Sequence, residues 1–350
     1  MLRIIYTLFA KRLRLSNPWN YKAPVLIGFT YVVIGVERIP FLVALQAIGW
    51  SLLTIVGIAG FGYLTNDLGD RKADLAAGKA NLLATLPMAH IAGLLLLFLG
   101  LALVPWVVFF PVSALSLGLL GAELLLFVLY VAPPFRLKER GFLGLVTDSL
   151  YAHALPCLLA MITFAAIAGE RDPFDPDADI FPYMVMAVAW QFALGLRNIL
   201  LHQMKDAEND RQSGLRTLVT RIGDRKTFLL LTNLMIPLEA ITWSVLIFGY
   251  SRENPLPLLI WPGFVAFQYI KRGRPADNRT FLYRLFDDFY IPILPSLFLL
   301  WYALFDWHLL ILLGDPPAAV QESAGTVPRS GAGLDFPIFA GLEPNVVCQP

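Results

Sequence analysis

The sequence predicts an all-α membrane protein, a polytopic bundle of about nine transmembrane helices with a cytoplasmic N-terminus. Three observations carry this expectation. Of 350 residues, 57% are hydrophobic and 15% charged, and the mean hydropathy is +0.64. A soluble domain has about 45–50% apolar and about 25% charged residues, and could not hide so much apolar surface. The apolar residues gather in runs near the length of roughly 20 that crosses a bilayer. Lys and Arg then segregate to alternate connecting segments. This composition excludes a soluble enzyme and a disordered chain, and a net charge of +1 offers no electrostatic footprint for nucleic acid.

In chain order, Met1-Leu2-Arg3, a short apolar stretch and then Lys11, Arg12 and Arg14 open the sequence. A signal peptide would need a longer apolar core and a small-residue cleavage site. Residues 1–22 therefore read as a basic amphipathic segment on the membrane surface. Candidate spans follow at 23–36, 40–62, 88–110, 114–130, 143–169, 180–201, 228–249, 255–268 and 287–313, the first and eighth being short. With the N-terminus inside, the cytoplasmic segments 1–22, 63–87, 131–142, 202–227 and 269–286 hold 22 of the 27 Lys and Arg residues. Arg38, Arg171, Arg252 and Arg329 fall outside, and Arg197 lies within a span. The largest outward loop is acidic, with Glu170, Asp172, Asp175, Asp177 and Asp179. Residues 23–313 thus form the transmembrane domain. The Gly-, Pro-, Ala- and Ser-rich stretch 314–350 lacks helical periodicity and reads as a mobile tail. Two cysteines, Cys157 and Cys348, cannot build a disulfide framework or a thiolate metal site.

Two cytoplasmic segments carry chemistry. Segment 63–87 contains Asn66, Asp67, Asp70 and Asp74, in the pattern N-D-x-x-D-x-x-x-D. On a helix this spacing lines an amide and carboxylates along one face, where they repel unless a cation sits among them. Oxygen-only ligands of this kind suit Mg²⁺, which keeps waters and favours one or two carboxylates plus substrate phosphates. Segment 202–227 repeats the four-residue spacing with Asp206 and Asp210, and Asn198 and His202 extend that stripe backward. An Arg follows each motif, Arg71 after Asp70 and Arg211 after Asp210. Two acidic clusters on one side of the membrane can hold two or three Mg²⁺ around a diphosphate. A third segment, Tyr130-Val-Ala-Pro-Pro-Phe-Arg136-Leu-Lys138-Glu-Arg140, offers cations for phosphate oxygens that metal does not hold. Within the spans, Asp148 and Arg197 lie near this proposed site, whereas Glu123, Glu239 and Asp306 read as structural or interfacial.

These three segments, with Gly214, Thr217, Arg221 and Gly223 after the second acidic motif, resemble the UbiA superfamily of membrane prenyltransferases over roughly residues 15–313. The resemblance implies transfer of a prenyl group from an allylic prenyl diphosphate to a hydrophobic or aromatic acceptor, with Mg²⁺ as cofactor and the bilayer as surroundings. It implies Asn66, Asp67, Asp70, Asp74, Asp206 and Asp210 as the metal and diphosphate set, with Asp67, Asp70 and Asp206 central to catalysis. Arg71, Arg136, Lys138 and Lys205 would contact the diphosphate. Many aromatic-acceptor members carry an Arg-rich stretch ending in Arg-Pro after the first motif, whereas Gly78-Lys79-Ala80-Asn81 stands here. His202-Gln203 likewise stand where the naphthoquinone branch often has Asn. Both departures bear on the acceptor.

Allylic ionisation is the expected chemistry, with metal and cations neutralising the departing diphosphate and a dry cavity protecting the cation. A cyclase acting on the diphosphate alone is the nearest alternative. A transporter would place its charges near the bilayer midplane instead of at one face. The expected location is a bacterial inner membrane, with the active site on the cytoplasmic side.

Overall fold

The computed structural model describes residues 23–76, 78, 81, 83–169, 172–212, 214–251, 255–272, 293 and 297. The basic segment 1–22, the ninth candidate span 287–313 and the tail 314–350 lie outside these residues, apart from Ile293 and Leu297.

Among the described residues the protein is all-helical. In chain order the helices are α1 (Ala23–Val36), α2 (Phe41–Ala76), α3 (Met88–Val108), α4 (Ala114–Val131), α5 (Phe142–Ala168), α6 (Phe181–Gln212), α7 (Leu218–Ile222), α8 (Asp224–Tyr250) and α9 (Leu256–Arg272). Six of them, α2 to α6 and α8, are long and apolar enough to cross a membrane. The 14 residues of α1 and the 17 of α9 fall short of a full span. Helices α5 and α6 form the centre, with 61% of their apolar windows buried, against 28% for α2, α3 and α4. The outer helices present Leu96, Leu97, Val107, Ile241, Phe248 and Leu259 outward, as lipid-facing helices must.

Local sequence explains the interruptions. Ser113 caps α4 by accepting a hydrogen bond from the Ser116 amide at 2.9 Å, and Ser116 Oγ accepts one from the Ser113 amide at 3.2 Å. Helices α5 and α8 each contain one π-turn, Leu150–Ala154 and Leu231–Met235. Each turn ends two residues before a proline, Pro156 or Pro237. Proline lacks an amide hydrogen and crowds the preceding turn, so the wider turn relieves the clash without ending the helix.

Packing is close where side chains are small. A Cβ on Gly57 of α2 would lie 2.3 Å from the Ala102 backbone nitrogen of α3, so only glycine permits that approach. At the centre, Trp190, Trp243, Phe29, Phe164 and Met161 form the main core. A smaller core of Leu145, Leu196, Leu200, Val219 and Leu231 lies toward the end of the bundle where α6 finishes and α8 begins.

The acidic motifs lie on helices and not in loops, a correction to the segment boundaries expected from hydropathy. Helix α2 continues through Asn66, Asp67, Asp70 and Asp74 to Ala76, and α6 continues through Asp206 and Asp210 to Gln212. Gly214, at φ +72°, then turns the chain away after α6, a conformation costly for any residue with a Cβ. Both motifs therefore ride on rigid extensions of membrane-spanning rods.

Candidate active site

The site forms where the C-terminal ends of α2, α4 and α6 meet the start of α5. Between α4 and α5, Leu137–Glu139 makes one turn of 3₁₀ helix that presents the basic loop. Arg136, just before it, has φ +38°, an unusual conformation for a residue with a side chain. Its contacts account for that posture. The Arg136 guanidinium donates to Asp70 Oδ1 at 3.2 Å, to the Gly69 carbonyl at 3.2 Å, and to Glu139. Lys138 donates to the same Asp70 oxygen and is 5% exposed. Burial pushes the Lys138 ammonium below its usual range, and the neighbouring Asp70 carboxylate draws it partly back. The first acidic motif and the basic loop thus form one unit.

The second motif joins through Asp210. Asp210 is 8% exposed, and its Oδ2 accepts from the Thr217 hydroxyl at 3.4 Å. The Leu215 amide donates to its backbone carbonyl at 2.8 Å. Thr217 also caps α7 by accepting from the Thr220 amide. Arg221, on α7, reaches across to the Glu139 carbonyl, fastening this turn to the basic loop.

Tyr130, at the end of α4, lies within electrostatic reach of Asp70, Asp148 and Asp210. It packs edge-on against Tyr151 with ring centroids 5.3 Å apart, and Tyr151 donates to Asp148 Oδ1. Phe127 lies 4.1 Å, centroid to centroid, from the same Tyr151 ring. Tyr130 and Tyr151 thus form an aromatic wall with Asp148 hydrogen-bonded to it.

The other expected site residues are distributed as follows. Asn66 and Asp67 are half-buried on α2. Asp74 Oδ2 accepts from the Asn81 amide at 2.8 Å, and the same amide donates to the Asp67 carbonyl at 2.7 Å. Asn81 thus ties the returning chain to the motif helix, a role that its reading as a departure from the family pattern did not foresee. Arg71 turns away from Asp70 and donates to the carbonyls of Ala84 at 2.9 Å and Leu86 at 3.4 Å. Asp206 is half-exposed and lies 3.1 Å from His202 Nδ1, one turn back on α6, and Lys205 is exposed. Arg211 reaches Asp224 at 2.7 Å. Arg197, for which the sequence leaves both contact with the site and pairing with a neighbouring helix open, forms a fully buried bidentate pair with Glu239 that joins α6 to α8. Glu239 is structural, as expected. Cys157 is buried and unbridged.

Among the described residues, no three His, Cys, Asp or Glu side chains form a ready-made metal cage. The donor chemistry still fits Mg²⁺, because the two motif helices offer hard carboxylate oxygens, Asp70 on α2 and Asp210 on α6. Mg²⁺ takes one or two carboxylates and completes its shell with water and substrate phosphate. Both cations meet Oδ1 of Asp70, which leaves its Oδ2 without a contact among the described residues.

These acidic and basic side chains stand at one end of a bundle of membrane-length helices, the architecture of an integral-membrane protein. The chain belongs to the UbiA prenyltransferase family, whose model matches residues 23–286. A lycopene elongase/hydratase from Haloarcula japonica is 27% identical over 302 residues, 79% of this chain and 87% of that protein. Another from Haloferax volcanii is 34% identical over 109 residues, a match that spans only 31% of either chain. Among solved structures, a UbiA homolog from Archaeoglobus fulgidus bound to DMAPP and Mg²⁺ has the same fold, with a TM-score of 0.56, 15% identity, and coverage of 84% of this chain and 98% of that one. A digeranylgeranylglyceryl phosphate synthase has a TM-score of 0.52 and 16% identity, covering 86% of this chain and 98% of that one.

Proposed function

We propose that this protein transfers an allylic prenyl group from its diphosphate to an apolar polyene, at the cytoplasmic end of α2 and α6. The observation that carries the site is the clasp of Lys138 and Arg136 on Asp70 beside Tyr130, which also faces Asp148 and Asp210. The acceptor class follows the two haloarchaeal relatives, whose names describe elongation and hydration of lycopene. The aromatic acceptor expected from the family at large gives way to it on that ground.

Asn66, Asp67, Asp70, Asp74, Asp206 and Asp210 would hold Mg²⁺, which when bound supplies positive charge to the departing diphosphate. Lys138 and Arg136, already held in place, donate charge-assisted hydrogen bonds to phosphate oxygens. Because they are fixed before the reaction, they stabilise the developing anion without reorganising. Phe127, Tyr130 and Tyr151 offer π faces to the allylic carbon as it becomes positive. Buried Leu145, Leu196 and Leu200, toward the same end of the bundle, help to exclude water that would capture the cation as an alcohol.

The test uses the purified protein in detergent with Mg²⁺, dimethylallyl diphosphate and lycopene. Mass spectrometry should find lycopene lengthened by one five-carbon unit, formed only when all three are present. Release of diphosphate from the donor alone, with a cyclised hydrocarbon as product, would overturn the transferase reading.

A further inference from the structure

One carboxylate at the aromatic wall belongs neither to the metal set nor to the cationic clasp. Asp148 is the sole acidic residue of α5 and is half-buried. Counted from Phe142, it lies about 9 Å along the helix from the end that meets the basic loop. A charge within an apolar helix is costly and turns toward the bundle interior or a polar cleft. Its partners show where it turns. The Tyr151 hydroxyl donates to Asp148 Oδ1 at 2.5 Å, and Tyr130 is within electrostatic reach of the same carboxylate. Asp148 therefore stands beside the rings that the reacting carbon would face.

Its surroundings suit a proton acceptor. Asp70 is clasped by Lys138 and Arg136, and positive charge beside a carboxylate weakens it as a base. The bond that Asp148 Oδ1 accepts comes from a neutral phenol. An ionised carboxylate has about four lone-pair sites, and the Tyr151 hydroxyl takes one while fixing the group's direction. Tyr151 itself lies in the π-turn Leu150–Ala154, the kind of widened turn that recurs at functional sites.

We infer that Asp148 accepts the proton whose loss ends prenyl transfer, with Tyr151 fixing its carboxylate. The inference rests on the polyene reading above. The donor C–O bond breaks, and its electron pair leaves on the diphosphate. The π pair of the acceptor's terminal alkene forms the new C–C bond to the allylic carbon, leaving a tertiary cation on the alkene's other carbon. A C–H bond on a carbon beside that cation breaks, its electron pair closes a new C=C bond, and the proton passes to the Asp148 carboxylate. The product is a lengthened alkene, and the neutral Asp148 returns its proton to water once the diphosphate has left. The cation forms next to the carbon that bonds the prenyl group, so its base must stand at the same rings, as Asp148 does. Proton loss from carbon needs no water in the cleft, in keeping with the buried leucines at this end of the bundle.

The experiment runs wild type, Asp148→Asn and Tyr151→Phe in detergent with Mg²⁺, dimethylallyl diphosphate and lycopene. The readout is lengthened alkene formed per diphosphate released, a ratio that a general loss of activity leaves unchanged. Asn keeps the shape of Asp and an oxygen for the Tyr151 hydroxyl, but it is no base. Asp148→Asn should lower the ratio by about tenfold or more, as expected when a general base is lost. Tyr151→Phe unfixes the carboxylate and should lower the ratio by about threefold or more. It carries the test if Asp148→Asn fails to fold. A smaller fall in either folded variant would overturn the inference. So would a wild-type product that is wholly alcohol, with prenyl transfer itself left standing. Diphosphate release with no lengthened lycopene in wild type would remove the polyene reading, and this inference with it.

Discussion

Replacing Lys138 with Met removes one cation from the site while keeping an unbranched stem of similar length. The structure sets two different magnitudes for the result. Lys138 is 5% exposed and its ammonium meets Asp70, but Arg136 remains 3.2 Å from the same oxygen. Asp70 is therefore not stranded. The loss of stability is expected at about 1–2 kcal/mol, below the roughly 3–5 kcal/mol that follows when a buried charge loses its sole partner. The transition state is more sensitive, because each fixed donor acts where charge develops. Losing one fixed donor to the leaving diphosphate should cost about 3–4 kcal/mol, a fall in kcat on the order of 10²–10³. Diphosphate release at saturating dimethylallyl diphosphate measures the rate, and thermal melting in the same detergent measures folding. Pairing the change with Asp70→Asn in a double-mutant cycle should show strong coupling between the two sites. A folded Lys138→Met enzyme that releases diphosphate within threefold of the wild-type rate would refute the assignment.

Three further outcomes are expected. Excess chelator should abolish diphosphate release and added Mg²⁺ restore it, so undiminished turnover in chelator would exclude a metal requirement. Asp70→Ala and Asp210→Ala, on different helices, should each disable ionisation, and the double variant should be scarcely slower than the worse single, as for groups acting as one unit; independent, multiplying effects would argue for separate sites. Glu239→Gln should lower stability by about 3–5 kcal/mol because it strips the buried Arg197 of its carboxylate, while Arg197→Met with Glu239→Leu should recover most of the loss, and an unchanged melting temperature in Glu239→Gln would contradict that account.

Hydropathy marked where apolar runs stop, and that is a statement about solvent and not about helices. The backbone of α2 has no reason to end at the membrane boundary, because no Gly-Pro signal follows Asn66 and Asp67, and it runs to Ala76 before Gly78 turns it. The periodic spacing of Asp67, Asp70 and Asp74 was therefore legible, while the segment boundary was not. Neighbours in sequence also misled. Asp70 and Arg71 are adjacent, but consecutive residues on a helix point about 100° apart. Asp70 thus meets the basic loop, and Arg71 meets the carbonyls of Ala84 and Leu86. Asp206 and Asp210 share a stripe, yet the turn through Leu215 and Thr217 covers Asp210 alone. Arg197 and Glu239, 42 residues apart, find each other only through the packing of α6 on α8, which no local pattern encodes.

The length of α2 has one more consequence. Its 36 residues make a rod of about 54 Å, far longer than the roughly 30 Å of hydrocarbon in a bilayer. The carboxylates ride on the protruding end, while the walls below stay in oil. Under the proposed reaction each turnover makes two products that belong to different phases: the spent diphosphate, an ion, would dissolve in water, and the lengthened hydrocarbon would slip sideways between lipids. Reversal would require both to find the same cleft again from opposite media. On that reaction, partition itself would keep turnover moving in one direction, with neither product left where it could block the next donor.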